Sequence, residues 1–208
     1  MRKEGLITSD RVFDAFVSVD RAHFSPTTPY ADSPQTIGHA ATISAPHMHA
    51  SAAETLLPYL NPGSKVLDIG SGSGYLTNIF AALVRPGGTV IGVDHIQPLV
   101  DLGLKNTKKS PEGAKALEEG LIKFVCADGR KGWKEGAPYD VIHVGAACGV
   151  LHQELVEQLK APGRMFVPVE EQDGMQYVFV VDKDKDGGVR RERLYGVQYV
   201  PLTDAPKV

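Results

Sequence analysis

Apolar residues recur along this chain with two spacings, one typical of helices and one typical of buried strands. Near the N-terminus the spacing is helical, because one stripe of a helix would contain Val12, Phe13, Phe16 and Val17. A second helical segment follows Pro46. After residue 61, short apolar runs without strict polar alternation take turns with helical segments. That alternation predicts a parallel sheet covered by helices on both faces.

The predicted strands and helices of this second part are distinct enough to place. The strands are KVLDIG, TVIGVD, LIKFVCAD, YDVIHVG and RMFVPV, and the helices are YLTNIFAALV, IQPLVDLGLKN and VLHQELVEQL. Residues 176–202 then predict two long strands joined by an Asp-Gly-Gly turn, an antiparallel hairpin. We therefore expect an α/β fold, Rossmann-like and mostly parallel, with a doubly wound sheet that ends in this hairpin. It is the pattern of class I S-adenosylmethionine-dependent methyltransferases, whose seventh strand is reversed, and not that of the six-stranded dinucleotide fold.

Residues 25–46 form an irregular arm rich in Pro, Ser and Thr. The arm carries Tyr30, Ile37 and Ile43, which makes it too apolar for a disordered linker. Packed loops of about 20 residues often form sites, so we expect one here. A chain of 208 residues suits one domain. We expect a single methyltransferase domain, 1–208, with N-terminal helices and substrate arm at 1–60, a cofactor-binding core at 61–170 and a C-terminal hairpin at 171–208.

Composition narrows the class of protein. The net charge of −3 argues against a partner held by phosphate neutralisation, and no apolar run reaches the length of a membrane helix. The N-terminus lacks the apolar region of a secretory signal. Cys126 and Cys148 lie in apolar runs without a CxxC spacing, which favours free, partly buried thiols over a disulfide or a zinc site. We expect a cytoplasmic monomer with no nucleic-acid or membrane partner and no metal.

The strongest local signal is VLDIGSGSGYL at residues 66–76, where Gly70, Gly72 and Gly74 follow a strand and open a helix. A dinucleotide fingerprint would place glycine at position 75, which here is Tyr75. Asp68, just before the first glycine, would repel a pyrophosphate and suit a cation. S-adenosylmethionine carries a sulfonium and an ammonium and no phosphate, so this loop favours it. The alternative is that Asp68 only bonds loop amides.

Two further acidic residues end the next strands. Asp94 ends TVIGVD, where a carboxylate accepts hydrogen bonds from ribose hydroxyls in this architecture. Asp128 ends the third strand, where it can accept from an adenine amine, although an Asx turn is the alternative. Acidic ends on three consecutive strands predict a nucleoside site at the carboxyl edge of the sheet. The fourth strand ends in the small residues of HVGAA, which argues against a nucleobase amine as acceptor.

Ser44, in ATISAPHMH, is the candidate catalytic contact for an acceptor. A carboxylate acceptor is ionised at neutral pH and needs orientation and partial desolvation, which a serine hydroxyl on a packed loop supplies. The alternative is that Ser44 only begins a helix. His47 and His49 lack nearby companion ligands for a metal, and His49 is better placed to reach a cofactor from a helix N-terminus. Aromatic residues predicted to lie in the core or a lid are Tyr30, Trp133 and Tyr199.

Beyond these single sites, nine blocks of the chain match one family. They are SDRVFDAF, VDRAHF, PYADSPQTIG, ATISAPHMHA, VLDIGSGSGYLT, VIGVDHI, ADGRKG, APYDVIHVGAA and GVQYVPLTD. Along nearly its whole length the chain resembles the protein-L-isoaspartate (D-aspartate) O-methyltransferases, and it looks more like their eukaryotic than their bacterial branch. The combination of ISAPHMHA, LDIGSGSG and VPLTD is specific to that family.

The resemblance implies S-adenosylmethionine as cofactor, S-adenosylhomocysteine as product and Ser44 as the active-site serine. It implies proteins and peptides containing L-isoaspartate as substrates, methylated on the free α-carboxylate, with the ester cyclising to a succinimide that starts repair. Together with Asp68 and Gly72 from the glycine loop, the cofactor contacts it implies are Ala41, Thr42, Ile43, Ser44, His49, Gly70, Asp94, His95, Asp128, Gly129 and Thr203.

The chain departs from the family pattern at His39 and Ala40 and at residues 148–150, and both places are expected to flank the peptide site. Three other functions stay open at this point. A methyltransferase for a small molecule or an unrelated protein would not distinguish isoaspartyl from aspartyl peptides. An NAD-dependent dehydrogenase is disfavoured by Tyr75 and by the terminal hairpin. A non-catalytic module would bind S-adenosylmethionine without turnover.

Overall fold

The computed structural model describes residues 1–203, which form six α-helices and nine strands within that range. The helices are α1 (Asp10–Ser18), α2 (Pro46–Leu56), α3 (Tyr75–Val84), α4 (Gln97–Thr107), α5 (Pro111–Glu118) and α6 (Gln153–Gln158). The strands are β1 (Gln35–Gly38), β2 (Ala41–Ile43), β3 (Lys65–Ile69), β4 (Thr89–Asp94), β5 (Ile122–Cys126), β6 (Tyr139–Val144), β7 (Leu159–Glu170), β8 (Gln176–Lys183) and β9 (Val189–Val197). In the described part, no helix is both long and apolar enough to cross a membrane.

Seven strands form one sheet in the order β5-β4-β3-β6-β7-β8-β9. The five strands from β5 to β7 are parallel to their neighbours, with Val66 of β3 opposite Val90 of β4 and Val141 of β6. The chain leaves β3 in one direction for β4 and β5 and later returns to the other side for β6. Ligands of open α/β sheets bind at such a switch in strand order, outside the carboxyl ends. The predicted Rossmann-like fold class is confirmed.

Helices cover both faces of this sheet, as the continuous apolar strands predict. Neighbouring residues of one strand join separate cores, since Val66 packs with Leu56 and Phe80 on one face and Leu67 packs with Met165 on the other. The expectation of partly buried thiols is wrong for one cysteine. Cys148 is buried, but Cys126 is exposed because it ends β5, next to the edge of the sheet.

The C-terminal hairpin differs from expectation in which strand is reversed. Strand β8 runs antiparallel to both β7 and β9, so β9 has the direction of the core strands. The sixth strand is therefore the reversed one, and the expectation for the seventh is wrong. The cause is that β8 pairs directly with β7, which precedes it in the chain: in the turn between them, the Glu171 amide donates to the Met175 carbonyl at 2.9 Å.

Three local elements also differ from the predicted pattern. The arm contains a small hairpin, β1 with β2, in which Gln35 lies opposite Ile43. Helix α5 has no counterpart in the prediction, because it buries only the small residues Gly113 and Ala116 and so lacks an apolar stripe. Helix α6 is shorter than VLHQELVEQL, since β7 already begins at Leu159.

Both the backbone conformation and the neighbouring atoms require glycine at the third glycine position of the loop after β3. Gly74 has a φ of +88°, and a Cβ there would lie 3.0 Å from Phe124 Cζ and 3.1 Å from Gly103 Cα. Gly63 has a similar φ of +86° with nothing within 4 Å of the same position. We expect Gly63→Ala to lower the free energy of unfolding by about 1 kcal/mol and Gly74→Ala to lower it by about 2 to 3 kcal/mol. Urea denaturation measures both, and equal losses would show that the close packing at Gly74 is unimportant.

Candidate functional site

A cleft of about 340 Å³ opens at the carboxyl ends of β3, β4 and β6. One wall comes from the turn between β1 and β2, and the opposite wall comes from residues 200–203. The C-terminal wall is fixed to the loop after β6, because the Ala147 amide donates to the Val200 carbonyl at 2.8 Å and the Leu202 amide donates to the Ala147 carbonyl at 2.7 Å. Predicted contact residues that line this cleft are Ala41, Thr42, Gly70, Gly72, Asp94, His95, Gly129 and Thr203.

Asp94 is buried at the floor of this cleft. Its Oδ2 accepts from the Gly72 amide at 3.1 Å and its Oδ1 accepts from the Ile96 amide at 3.2 Å. The Nδ1 atom of His95 lies 3.3 Å from the same Oδ1. Burial raises the pKa of Asp94, while the amides and His95 oppose that rise. Each oxygen keeps lone pairs for a further donor, as pairing with two adjacent hydroxyls requires.

A smaller cavity adjoins the cleft and reaches Ser44. The two share Thr42, Gly70, Gly72 and Gly145 in their linings, so they lie side by side. The remaining predicted contact residues lining the smaller cavity are Ile43, Ser44, His49 and Asp68. Ser71 also lines it, and its buried Oγ has no hydrogen-bond partner among the described residues.

Asp68 is 1% exposed, and its partners are side chains instead of loop amides. Its Oδ1 lies 2.8 Å from His143 Nδ1, and its Oδ2 accepts from Thr77 Oγ1 at 2.5 Å. The alternative that Asp68 bonds loop amides is therefore wrong. His143, a histidine in the apolar run of β6, stacks on Phe166 at a centroid distance of 5.7 Å. The sequence interpretation missed His143, although a basic residue inside YDVIHV was a usable signal.

Ser44 is half-buried and fixed by groups that come from distant parts of the chain. Its carbonyl accepts from Arg21 Nη2 at 2.7 Å. Burial raises the pKa of Tyr199, and a hydrogen bond with the Ser44 side chain lowers it in part. Tyr199, expected to be a core or lid residue, thus lines the smaller cavity beside the serine. Neither Arg21 nor the role of Tyr199 was predicted, because both contacts join residues far apart in sequence.

The other two aromatic residues lie elsewhere. Trp133 packs against the core on the side of Leu67, which agrees with the expectation of a core residue. Tyr30 is 72% exposed, and its hydroxyl donates to Asp20 Oδ1 at 2.7 Å. Tyr30 is therefore not a core residue, because its phenol forms a surface hydrogen bond, and the alternative of a lid residue stays a prediction.

Asp128 lines neither cavity, although its neighbour Gly129 lines the cleft. Its carboxylate accepts from Arg130, through the amide at 3.0 Å and through Nε and Nη2 at 2.9 Å each. The side-chain bond to Arg130 holds the pKa of Asp128 below its usual value. The geometry is the Asx turn that was the alternative at this position. The cofactor contact of Asp128 stays a prediction.

The two histidines in the first turn of α2 have separate partners. His47 Nδ1 lies 2.9 Å from Asp32 Oδ1, and His49 Nδ1 lies 3.2 Å from Arg21 Nη1. No group of three His, Cys, Asp or Glu side chains within residues 1–203 is arranged to hold a metal ion.

The departures from the family pattern lie at two separate places. His39 and Ala40, with φ values of 53° and 57°, form the turn between β1 and β2 and line the cleft beside Asp94. Their expected position beside a peptide site stays a prediction. Gly149 and Val150 line a separate surface groove with Glu170 and Asp173, while Cys148 is buried.

Comparisons with known proteins agree on one family. The family model described as protein-L-isoaspartate (D-aspartate) O-methyltransferase matches residues 1–207. Protein-L-isoaspartate O-methyltransferase 2 of Arabidopsis thaliana is 46% identical over 205 residues, with 98% of this chain and 65% of that protein covered. The protein-L-isoaspartate O-methyltransferase of Caenorhabditis elegans is 46% identical over 203 residues, with 98% and 89% covered. The chain thus spans about two thirds of the first relative and most of the second.

A solved structure supports the same grouping. The crystal structure of a putative protein-L-isoaspartate O-methyltransferase from Plasmodium falciparum, in complex with S-adenosyl-L-homocysteine, matches with a TM-score of 0.89 and 33% identity. The match covers 97% of this chain and 94% of that chain. The similarity therefore includes the arm and the C-terminal hairpin as well as the parallel core.

Proposed function

The chain belongs to the protein-L-isoaspartate (D-aspartate) O-methyltransferase family, and from that premise we propose how its residues divide the work of methyl transfer. It is an S-adenosylmethionine-dependent methyltransferase that acts on L-isoaspartyl residues of damaged proteins and peptides. The product is a methyl ester of the free α-carboxylate. The ester cyclises to a succinimide, whose hydrolysis returns part of the material to normal aspartate.

We propose that the nucleoside end of the cofactor lies on Asp94. The two oxygens of this buried carboxylate accept from both ribose hydroxyls, as carboxylates at this strand end do in related folds. Glycine backbone lines the same place, at Gly70, Gly129 and Gly145. A Cβ on Gly129 would lie 2.5 Å from Ile69 Cγ2, so this part of the wall accepts only glycine without rearrangement. The cleft of about 340 Å³ and the buried carboxylate on its floor fit a nucleoside.

We place the amino-acid end of the cofactor next to the smaller cavity. The buried carboxylate of Asp68 provides negative charge near it, and the unpartnered Ser71 hydroxyl provides a free hydrogen-bonding group. S-adenosylmethionine supplies a methyl group activated by the positive charge of its sulfonium. The chain's own task is to hold this donor while an acceptor oxygen approaches in line with the bond that breaks.

Ser44 orients the acceptor. The isoaspartyl α-carboxylate, with a pKa of about 3.5 to 4, is ionised at neutral pH and needs no general base. A hydroxyl that donates to one carboxylate oxygen leaves the other oxygen nucleophilic. Burial raises the pKa of Tyr199, so its phenol stays protonated beside Ser44 and offers a second donor. These hydroxyls replace water without neutralising the nucleophile.

The observation that carries this proposal is that the cleft and the smaller cavity lie side by side. The cavity that holds Asp94 and the cavity that holds Ser44 share Thr42, Gly70, Gly72 and Gly145. A donor that spans from Asp94 to the glycine loop therefore ends beside the serine.

The test compares two peptides of the same sequence that differ only in one linkage. With methyl-labelled S-adenosylmethionine, the L-isoaspartyl peptide should release labelled methanol after base treatment, and its aspartyl twin should not. Equal labelling of both peptides would point to another acceptor. Cofactor binding without labelling of either would show a non-catalytic module.

We also propose that residues 1–208 act as one methyltransferase domain, divided as 1–60, 61–170 and 171–208, although residues 204–208 lie outside the described part. The proposal includes a monomer in the cytoplasm that uses neither nucleic acid nor membrane as a partner, in keeping with the net charge of −3. Sedimentation equilibrium should return a mass near 22.4 kDa, and twice that mass would contradict the monomer.

A further inference from the structure

We propose that Arg21 is a positioning residue for methyl transfer, which holds His49 in the tautomer protonated on Nε2 and so presents that N–H to a carboxylate in the cleft. Through a second bond, to the Ser44 carbonyl, it keeps the serine beside the same carboxylate. This inference rests on the proposed function of the cleft. It assigns a role to a residue that lies outside the predicted site.

The tautomer follows from the chemistry of the partner. Arg21 lies in the short 3-10 turn Arg21–His23 and is 4% exposed. Its Nη1 is 3.2 Å from His49 Nδ1. A guanidinium has only donors, so Nδ1 must accept with its lone pair. His49 is then neutral, and its one proton is on Nε2.

The Nε2–H group of His49 is available to donate a hydrogen bond to a ligand. His49 lines the smaller cavity together with Ser44 and Asp68. Among the described residues no group accepts a hydrogen bond from His49 Nε2. The atom is also not among the fully buried polar atoms that lack a partner, so part of its surface is accessible. It therefore reaches the cavity space. An N–H donor and the Ser44 hydroxyl on one cavity suit a carboxylate, which is either the amino-acid carboxylate of the cofactor or the acceptor carboxylate.

Arg21 also forms no ion pair with a carboxylate of residues 1–203, and Asp32 acts on its charge only from beyond ion-pair distance. Its buried Nε has no hydrogen-bond partner in that range. The guanidinium carbon lies 5.0 Å from the centroid of the Tyr75 ring, which offers only a cation–π contact. A buried cation without a carboxylate in contact favours an anion nearby. Arg21 contacts His49 and Ser44, which both line the smaller cavity.

The groups around His49 keep it neutral. They are Arg21 from the 3-10 turn, Tyr75 from α3, His143 from β6 and His47 from its own helix. Burial, followed by the charge of Arg21, holds the pKa of His49 well below its usual value. The imidazole therefore stays a donor through Nε2 across the pH range of an assay.

The first test needs no variant. The ¹⁵N shifts of His49, measured by NMR in the full chain at pH 7 with and without S-adenosylhomocysteine, should show a protonated Nε2 and an unprotonated Nδ1. A proton on Nδ1, or an imidazolium, would overturn the proposal. Because this readout does not depend on turnover, it separates the failure of this inference from the failure of the proposed function.

The second test removes the donor. Arg21→Met should lower kcat/KM for the isoaspartyl peptide by about 10- to 100-fold, as expected for loss of hydrogen bonds to a charged group. Its pH profile should gain an acidic limb, because His49 loses a neighbouring positive charge and its pKa rises. Arg21→Lys should restore part of the rate. A changed Kd for S-adenosylhomocysteine would assign the carboxylate to the cofactor, and a changed KM for the peptide alone would assign it to the acceptor.

Arg11 provides the matched control, since its guanidinium donates to the carbonyls of Leu60 and Leu83 away from the cleft. Arg11→Met should lower the melting temperature and leave the pH profile unchanged. If Arg21→Met behaves in the same way, Arg21 has only a structural role and the proposal is wrong. Should Arg21→Met fail to fold, the NMR result decides.

Discussion

Ser44→Ala is expected to lower kcat for methylation of an L-isoaspartyl peptide by about 100-fold, the usual loss when one preorganised donor is removed from an active site. The hydroxyl orients the acceptor carboxylate against the methyl group, so the loss should fall on the chemical step. The cofactor is held mainly at Asp94 and the glycine loop. The Kd for S-adenosylhomocysteine should therefore change by less than about twofold.

Steady-state kinetics with labelled donor and calorimetric titration of S-adenosylhomocysteine measure these two quantities. Ser51→Ala is the matched control, because Ser51 lies on α2, just after the arm, and bonds the Tyr195 hydroxyl away from the cleft. It should retain kcat. A Ser44→Ala enzyme with unchanged turnover would remove the serine from the mechanism.

Asp94→Asn is expected to weaken S-adenosylhomocysteine binding by about 30- to 100-fold, because hydrogen bonds to a charged acceptor contribute about 1.5 to 3 kcal/mol each and an amide keeps only one acceptor oxygen. The same change leaves Ser44 and its neighbours in place. At saturating cofactor, kcat should therefore recover most of its original value. Calorimetry at pH 7.5 measures the binding constant.

Acidic pH should imitate this substitution in the unaltered enzyme. Burial raises the pKa of Asp94, so its carboxylate gains a proton at a higher pH than an exposed aspartate does. The protonated form loses acceptor capacity, and cofactor affinity should fall as the pH drops through this raised pKa. Asp94→Asn should lack that fall. Asp101→Asn, which changes an exposed carboxylate on α4, is the control and should bind the cofactor with the affinity and pH dependence of the original enzyme. If Asp94→Asn kept the original pH dependence, Asp94 would not be the group that binds the nucleoside.

The parallel core could be predicted because its strands are apolar on both faces. Val66 and Leu67 face different cores, and such a strand has only one stable place, between two layers of helices. Helix α5 could not be predicted, because its buried face consists of small residues that give no periodic signal. The direction of β8 and β9 depends on pairing between strands, and turn chemistry alone does not specify which strand is inserted next to β7.

The residues of the site also fall into those that the sequence predicts and those that it does not. Asp68 and Asp94 end neighbouring parallel strands, so the fold alone predicts that they share an edge of the sheet. Arg21 and Tyr199 reach the site through contacts between distant segments, which no local pattern specifies, whereas His143 was marked by its place inside an apolar strand. Asp128 shows a third case: it is at the expected strand end, but its side chain turns to Arg130, two residues away.

The two walls of the cleft come from opposite ends of the chain. The turn at His39 and Ala40 precedes the sheet core in the sequence, whereas residues 200–203, which pair with Ala147, follow it. The donor site is therefore complete only when both flanking segments are packed on the strand ends. A protease that cuts just after β9 would release one wall of the cleft and silence the enzyme while leaving its sheet core folded.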